Sequence, residues 1–332
     1  MSIVLDAMGG DHAPGEVVAG AVEAAPHLRE RLILVGDVAR IERLLPTPCP
    51  SNIELHPASQ VIDMHEKPID ALRGKKDSSM VVGIDLVKRG LGDCFVSAGN
   101  TGAVTAGCLL SWRQIPGFHR PAIASELPGR SQSFVLLDAG ASPDIDPDHL
   151  VEFAHMGRAY AKTVMGRPDP KVHLLNIGEE EGKGNQFSKE AFVRLARHPW
   201  FRGNIEGKDI FGSDCDVVVC DAFVGNIVLK TAEGVAELIV RMIKDAVPEN
   251  RIAQLPYLPM KSLLRKLWRK VDYAETGGSP LLGLNGLCVI CHGRSGAKAI
   301  RNALLLAQKA VERNLVEVIR SSLTEQVGVE VK

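Results

Sequence analysis

The chain has 332 residues, 45% hydrophobic and 24% charged, which fits one large or two ordinary globular domains and excludes disordered, collagen-like and disulfide-scaffold classes. Lys plus Arg (39) and Asp plus Glu (40) leave a formal charge of −1, arguing against a globally basic nucleic-acid binder, and aromatics at 5% are too few for a base-stacking platform. Seven scattered cysteines, a carboxylate as early as Asp6 and no run of 18 apolar residues lead us to expect a reduced, cytoplasmic protein without signal peptide or membrane span.

In chain order, short Val/Ile/Leu-rich runs closed by glycine or polar residues predict strands at 2–6, 32–36, 93–99, 133–140, 171–178, 216–221 and 287–293. Helical patterns fill the gaps at 16–25, 78–89, 101–112, 149–165, 188–197, 224–246 and 296–314. Alternating β and α segments with near-continuous apolar strands predict an α/β fold: a Rossmann-like, open, mostly parallel sheet with helices on both faces. We expect a single α/β domain over 1–332. The alternation breaks only at 248–277, where a Pro-punctuated stretch precedes SLLRKLWRKVDY and a Gly-Gly pair, so a helical hairpin inserted there is expected.

Open α/β sheets bind ligands beyond the carboxyl ends of their strands, where the next helix offers free amides and a positive dipole end. Five such ends carry polar residues: Asp6-Ala-Met-Gly-Gly-Asp-His12, Ser97-Ala-Gly-Asn-Thr-Gly102, the acidic and Gly-rich run Asn176 to Asn185, Asp221-Ala-Phe-Val-Gly-Asn226, and Cys291-His-Gly-Arg-Ser295. One such turn is weak evidence, because glycine there commonly only tightens the bend. Five together predict that at least three of them line one anion-binding cleft. A Walker A loop is excluded, since Gly182-Lys183 lacks the following Ser or Thr, and neither GxGxxG nor GxSxG occurs. A reaction in which the bound anion itself attacks suits such a cleft.

Cys288-Val-Ile-Cys291-His292 matches a haem-attachment pattern, but strand alternation sends its two cysteines to opposite faces, so buried thiols are expected instead. The run Glu179–Glu181 reads as a solvated charge run rather than a metal site; no metal is expected. In the insertion, a helix after Pro259 would gather Met260, Leu263, Leu264, Leu267, Trp268 and Val271 in a sector of about 140°, opposite Lys261, Arg265, Lys266, Arg269 and Lys270. This basic amphipathic pattern suits a membrane interface or an acidic protein, the contact residues being Leu263, Arg265, Lys266, Leu267, Trp268 and Arg269. An ordinary helix covering the core or a dimer contact is the bland alternative. Residues 251–272 hold six Lys or Arg and one Asp, a balance of +5 that leaves −6 for the other 310 residues.

LDAMGGDHAP (5–14), SAGNTGA (97–103), LLNIGEEEGKGN (174–185), NIEGKDIF (204–211), VVVCDAFVGNIVLKTAEG (217–234) and LLGLNGLCVICHGRS (281–295), in this order and spacing, resemble the PlsX family of bacterial phosphate acyltransferases. The chain departs from the usual family pattern only in carrying two cysteines in its last strand. The resemblance implies a fold akin to isopropylmalate dehydrogenases and phosphotransacetylases, a homodimer, and no cofactor. It further implies transfer of a long-chain fatty acyl group from acyl carrier protein to inorganic phosphate, giving acyl phosphate for phosphatidic acid synthesis. An enzyme of the phosphotransacetylase type, using acyl-CoA, is the alternative; an inactive membrane scaffold is a more distant one. The expected location is the inner membrane face, peripherally bound, near the membrane-bound glycerol-3-phosphate acyltransferase that would consume the product.

Position at the strand ends suggests roles. Lys183 with the amides of Gly99, Asn100 and Gly102 would hold phosphate or the developing oxyanion, and His12 and Asp11 would move or orient a proton. Lys183, His12 and Asn100 are thus the catalytic candidates. Asp11, Gly99, Thr101, Gly102, Asn185, Asp221, Asn226 and His292 are the substrate-binding ones.

Overall fold

The structure, a computed structural model, describes residues 2–246 and 273–323. Most of the insertion expected at 248–277, including all six of its contact residues, lies outside them; its end, Tyr273–Thr276, is helical.

The first strand shows why the pattern was readable. In β1 (Ser2–Asp6) all five residues are buried, as a central parallel strand requires. Ile3 and Leu5 face one layer of helices, whereas Val4 packs on the opposite side with Phe95. Further along come β2 (Arg31–Gly36), β3 (Ile53–Pro57), β4 (Cys94–Ser97), β5 (Ala122–Ile123), β6 (Ser125–Leu127), β7 (Phe134–Leu137), β8 (Val172–Asn176), β9 (Phe201–Glu206), β10 (Val217–Val219), β11 (Ser279–Leu282) and β12 (Leu287–Ile290). Among the described residues they divide between two sheets. The first runs β3-β2-β1-β4-β12-β11-β5 and the second β6-β7-β10-β8-β9. Pairing is parallel except where β11 and β6 join. All seven predicted strands are present. The unpredicted ones are half-exposed and polar (β3, β9) or only two to four residues long (β5, β6, β11).

The helices are α1 (Gly15–Ala24), α2 (Val38–Glu42), α3 (Pro68–Gly74), α4 (Ser79–Lys88), α5 (Thr101–Trp112), α6 (Pro147–Thr163), α7 (Gln186–Leu195), α8 (Ala222–Asp245), α9 (Tyr273–Thr276), α10 (Ala297–Glu312) and α11 (Leu315–Ser322). The helix predicted at 296–314 stops at Glu312 because Asn314 is left-handed (φ 51°) and restarts the chain as α11. On the first sheet α1 and α10 cover one face and α4 and α5 the other. One buried apolar cluster joins Ile3, Val18 and Leu304 around the first sheet to Leu137, Phe153 and Val217 around the second. Among the described residues no helix is long and apolar enough to cross a membrane.

Cys288 and Cys291 lie in the clusters on opposite faces of the first sheet, both buried as free thiols, and burial pushes their pKa values up. That geometry suits neither a disulfide between them nor haem attachment.

Candidate functional site

Strands β1, β4 and β12 are neighbours, so the loops leaving their carboxyl ends meet. Gly10, at φ +108°, makes the meeting possible: a Cβ there would lie 3.1 Å from both the Ala98 Cβ and the Gly293 carbonyl. The next residue donates its amide, Asp11 N–H, to the Gly293 carbonyl at 2.8 Å. Asp6 anchors the group from below. Its carboxylate accepts Ser97 Oγ at 2.8 Å and the Met8 amide at 3.2 Å, and burial pushes its pKa up despite these bonds. Ser97 Oγ in turn accepts the Gly99 amide at 3.0 Å.

This arrangement changes how two candidates read. The Gly99 amide, expected to face the anion, is engaged with Ser97. The Asn100 carboxamide caps α5, accepting the Ala103 amide at 3.1 Å, and donates to the carbonyls of Met64 (2.9 Å) and Glu66 (3.1 Å). Thr101 and Gly102 remain exposed at the start of α5, a helix end that carries a partial positive charge. His12 is exposed and, with Gly15, Glu16, Arg294 and Gly296, lines an open pocket of about 510 Å³.

At the second sheet, Asp138 follows β7 with its carboxylate buried among amides. It accepts the N–H groups of Ile123, Gly140, Ala141 and Ser142 at 2.7–3.0 Å, and burial raises its pKa. Because Ile123 belongs to β5, this carboxylate ties the two sheets together. Asp221 caps the first turn of α8 through the Val224 amide at 2.9 Å. Gly225 then presses on the Asp138 carbonyl so closely that any Cβ would collide with it, and Asn226 lies beside Gly140.

Lys183 and Asn185 stand on the loop after β8. Lys183 Nζ is half-exposed, 3.9 Å from Glu180, and the Lys183 carbonyl accepts Asn176 Nδ2. Asn185 caps α7 through the Ser188 amide at 2.9 Å. Glu179, Glu180 and Glu181 are exposed, and the Glu180 carbonyl is held by Asn204.

Helix α8 links the two groups of loops. Its Glu237 lies 3.7 Å from Arg294, and Lys230 and Glu233 are near enough to act on the charge of His292. His292 is half-buried, its Nδ1 accepting the Arg294 amide at 3.1 Å. Burial first, then Lys230, lowers its pKa, while Glu233 and Asp11 oppose the shift. Thus the structure brings Asp11 and His292 together, with Arg294 beside His292 and Lys230 and Glu233 within electrostatic reach of it. Sequence reading assigned no role to these last three. Spacing was the available signal, since Lys230, Glu233 and Glu237 recur at the helical period on one face of α8.

These features, an α/β protein in which polar loops from β1, β4 and β12 meet at the carboxyl ends of the strands, define a fold class, and solved structures share the fold. A phosphotransacetylase from Streptococcus pyogenes aligns with TM-score 0.63 at 19% identity, covering 94% of each chain. A branched-chain phosphotransacylase from Enterococcus faecalis gives 0.57 at 14% identity, covering 94% of this chain and all of that one. The fatty acid synthesis protein family matches residues 1–318. The phosphate acyltransferase of Heliobacterium modesticaldum is 49% identical over 98% of this chain and 99% of its own, and that of Halothermothrix orenii is 46% identical over the same shares. The chain therefore belongs to the phosphate acyltransferase family, and it is an acyltransferase.

Proposed function

We propose that this enzyme transfers a long-chain fatty acyl group from acyl carrier protein to inorganic phosphate, with phosphate as the nucleophile, yielding acyl phosphate for phospholipid synthesis. The observation that carries this reading is the convergence of the β1, β4 and β12 loops with α8, in a chain of this family. Phosphate is anionic and nucleophilic near neutral pH, so the protein's task is to hold it in line with the thioester carbonyl and to stabilise the oxyanion. Thioester and acyl phosphate are both activated acyl carriers, so the exchange needs no ATP.

Palmitoyl carrier protein, phosphate and enzyme should give acyl hydroxamate on trapping with hydroxylamine. Palmitoyl-CoA should be the poorer donor. Equal or better turnover of the CoA ester would favour the phosphotransacetylase type instead.

A homodimer at the cytoplasmic face of the membrane completes the proposal. Exposed Val235, Leu238, Ile239 and Met242 on α8 support a protein contact there. Light scattering should give twice the 35.8 kDa of one chain, and a monomer mass would reject the dimer. The cationic segment 251–272 supports attraction to anionic lipid or to an acidic carrier protein. Leu267→Glu should reduce sedimentation with anionic vesicles; unchanged sedimentation would remove lipid from the proposal.

A further inference from the structure

We propose that Gly178 and Asn204 are positioning residues that aim Lys183 for acyl transfer. This rests on the acyl-transfer reading above, with the Lys183 ammonium balancing charge in the transition state.

A lysine has a flexible four-carbon stem, and ordering it during the reaction would consume the interaction it makes. The loop after β8 orders it beforehand. The Lys183 N–H donates to the Glu180 carbonyl at 3.1 Å, and Asn204 Nδ2 donates to that same carbonyl at 3.0 Å. Asn204 stands on β9, which pairs with β8, and is only 8% exposed, so the turn is bonded to an interior position of the sheet. On the other side, the Lys183 carbonyl accepts Asn176 Nδ2, from the end of β8, at 3.2 Å. Gly184 then continues in a left-handed conformation (φ +92°), where a Cβ would collide with Ser188 Oγ and Asn176 Oδ1. The backbone on both sides of Lys183 is thereby tied down.

The side chain is seated as well. Gly178 is buried, and a Cβ on it would lie 2.7 Å from Lys183 Cγ and 3.1 Å from Cδ, so the Lys183 stem runs across the glycine. The side chain is 51% exposed, and Nζ lies 3.9 Å from the Glu180 carboxylate, too far for a hydrogen bond. A lysine that serves only as surface charge needs neither seat nor tie; one that must meet an anion in a fixed place needs both. Gly178 is not left-handed, so alanine suits its backbone and meets first the Lys183 stem and the Glu180 carboxylate, the latter 3.0 Å away.

The test places Gly178→Ala and Asn204→Ala in the wild type and in Lys183→Ala, with palmitoyl carrier protein, inorganic phosphate and hydroxylamine trapping. In the wild type each should lower kcat by about tenfold, the cost of a misplaced group. In K183A, which has no stem to displace, each should lower it by less than about twofold. A residue that merely supports the fold would take the same fraction from both backgrounds. Wild-type turnover in either variant, or equal fractional loss on both backgrounds, would overturn the proposal. If one variant does not fold, the other decides. If K183A turnover is too low to measure, trypsin decides: N204A should be cut after Lys183 about tenfold faster than wild type, with other sites unchanged, and an equal rate would overturn the proposal. Wild-type turnover in K183A would remove Lys183 from the reaction and this role with it. No hydroxamate from the wild type would defeat the acyl-transfer reading itself; product from the wild type and a slow K183A without the coupling defeats the positioning role alone.

Discussion

Asn100, Asn185 and Asp221 stood out in the sequence as polar residues at strand ends, and all three prove to cap the helix that follows. The overlap has a physical root, because a side-chain oxygen that accepts a helix amide and one that orients a ligand are the same chemical choice at the same position. His292 and Asp11 were legible as polar residues at strand ends, and the structure brings them near one another; Lys230 and Arg294 come into view only once α8 is laid across the sheets. Lys183 is spared a capping role, so Lys183→Ala isolates its charge. If it balances the transition state, acyl phosphate formation should slow by at least about tenfold, and unchanged turnover of the purified variant would remove it from the mechanism.

His155 tests burial rather than chemistry. It is buried edge-on to Trp200 (centroids 5.3 Å) and His198 (5.5 Å), its Nε2 has no hydrogen-bond partner among the described residues, and its pKa is lowered to about 4, by burial first and then by His198 and Arg158. The unfolded ring takes a proton near pH 6.5 and the folded one resists until about 4. Stability should therefore be complete above pH 6.5 and fall as pH drops towards 4, by about 3 kcal/mol from this group. Tm measured against pH should show this slope, and His155→Leu should flatten it; an identical slope in the variant would refute the assignment.

Among the elements, those that are buried and long were readable: β1 with every residue inside, or α5 with Ala103, Val104, Gly107 and Cys108 buried. Strands β5, β6 and β11 were not, because two to four residues carry no period and β11 contains Pro280, which a sequence pattern assigns to a turn. The division into two sheets escaped for the same reason, since these short strands mark where one sheet passes to the other. At the head of α5, Asn100 makes three bonds to two segments. Asn100→Ala should cost about 1–2 kcal/mol for the cap alone, and more for the two orphaned carbonyls. A urea titration checks this, and a loss under about 0.5 kcal/mol would show that the cap is dispensable.

For the whole molecule, a core that crosses from one sheet to the other predicts that the two sheets unfold as one unit. Trp112 packs in the first sheet's cluster beside Gly286, and Trp200 joins the core of the second. With Trp268 replaced by Phe, fluorescence of W112F and of W200F should give the same urea midpoint relative to circular dichroism of the same variant. Separated midpoints would reveal two independently folding halves. The net charge of −1 also reads differently at this scale, as −6 spread over most of the chain and +5 held in 251–272.

The strand order sets a timetable. During synthesis β1 and β4 emerge early, but the place beside β4 stays empty while the entire second sheet is made, and only then does β12 arrive to fill it. The last strand to enter the first sheet is also the one that delivers His292. A nascent chain thus carries an open sheet edge and lacks the β12 loop, so any product truncated before Leu287 should be inactive and prone to pair its bare β4 edge with another chain.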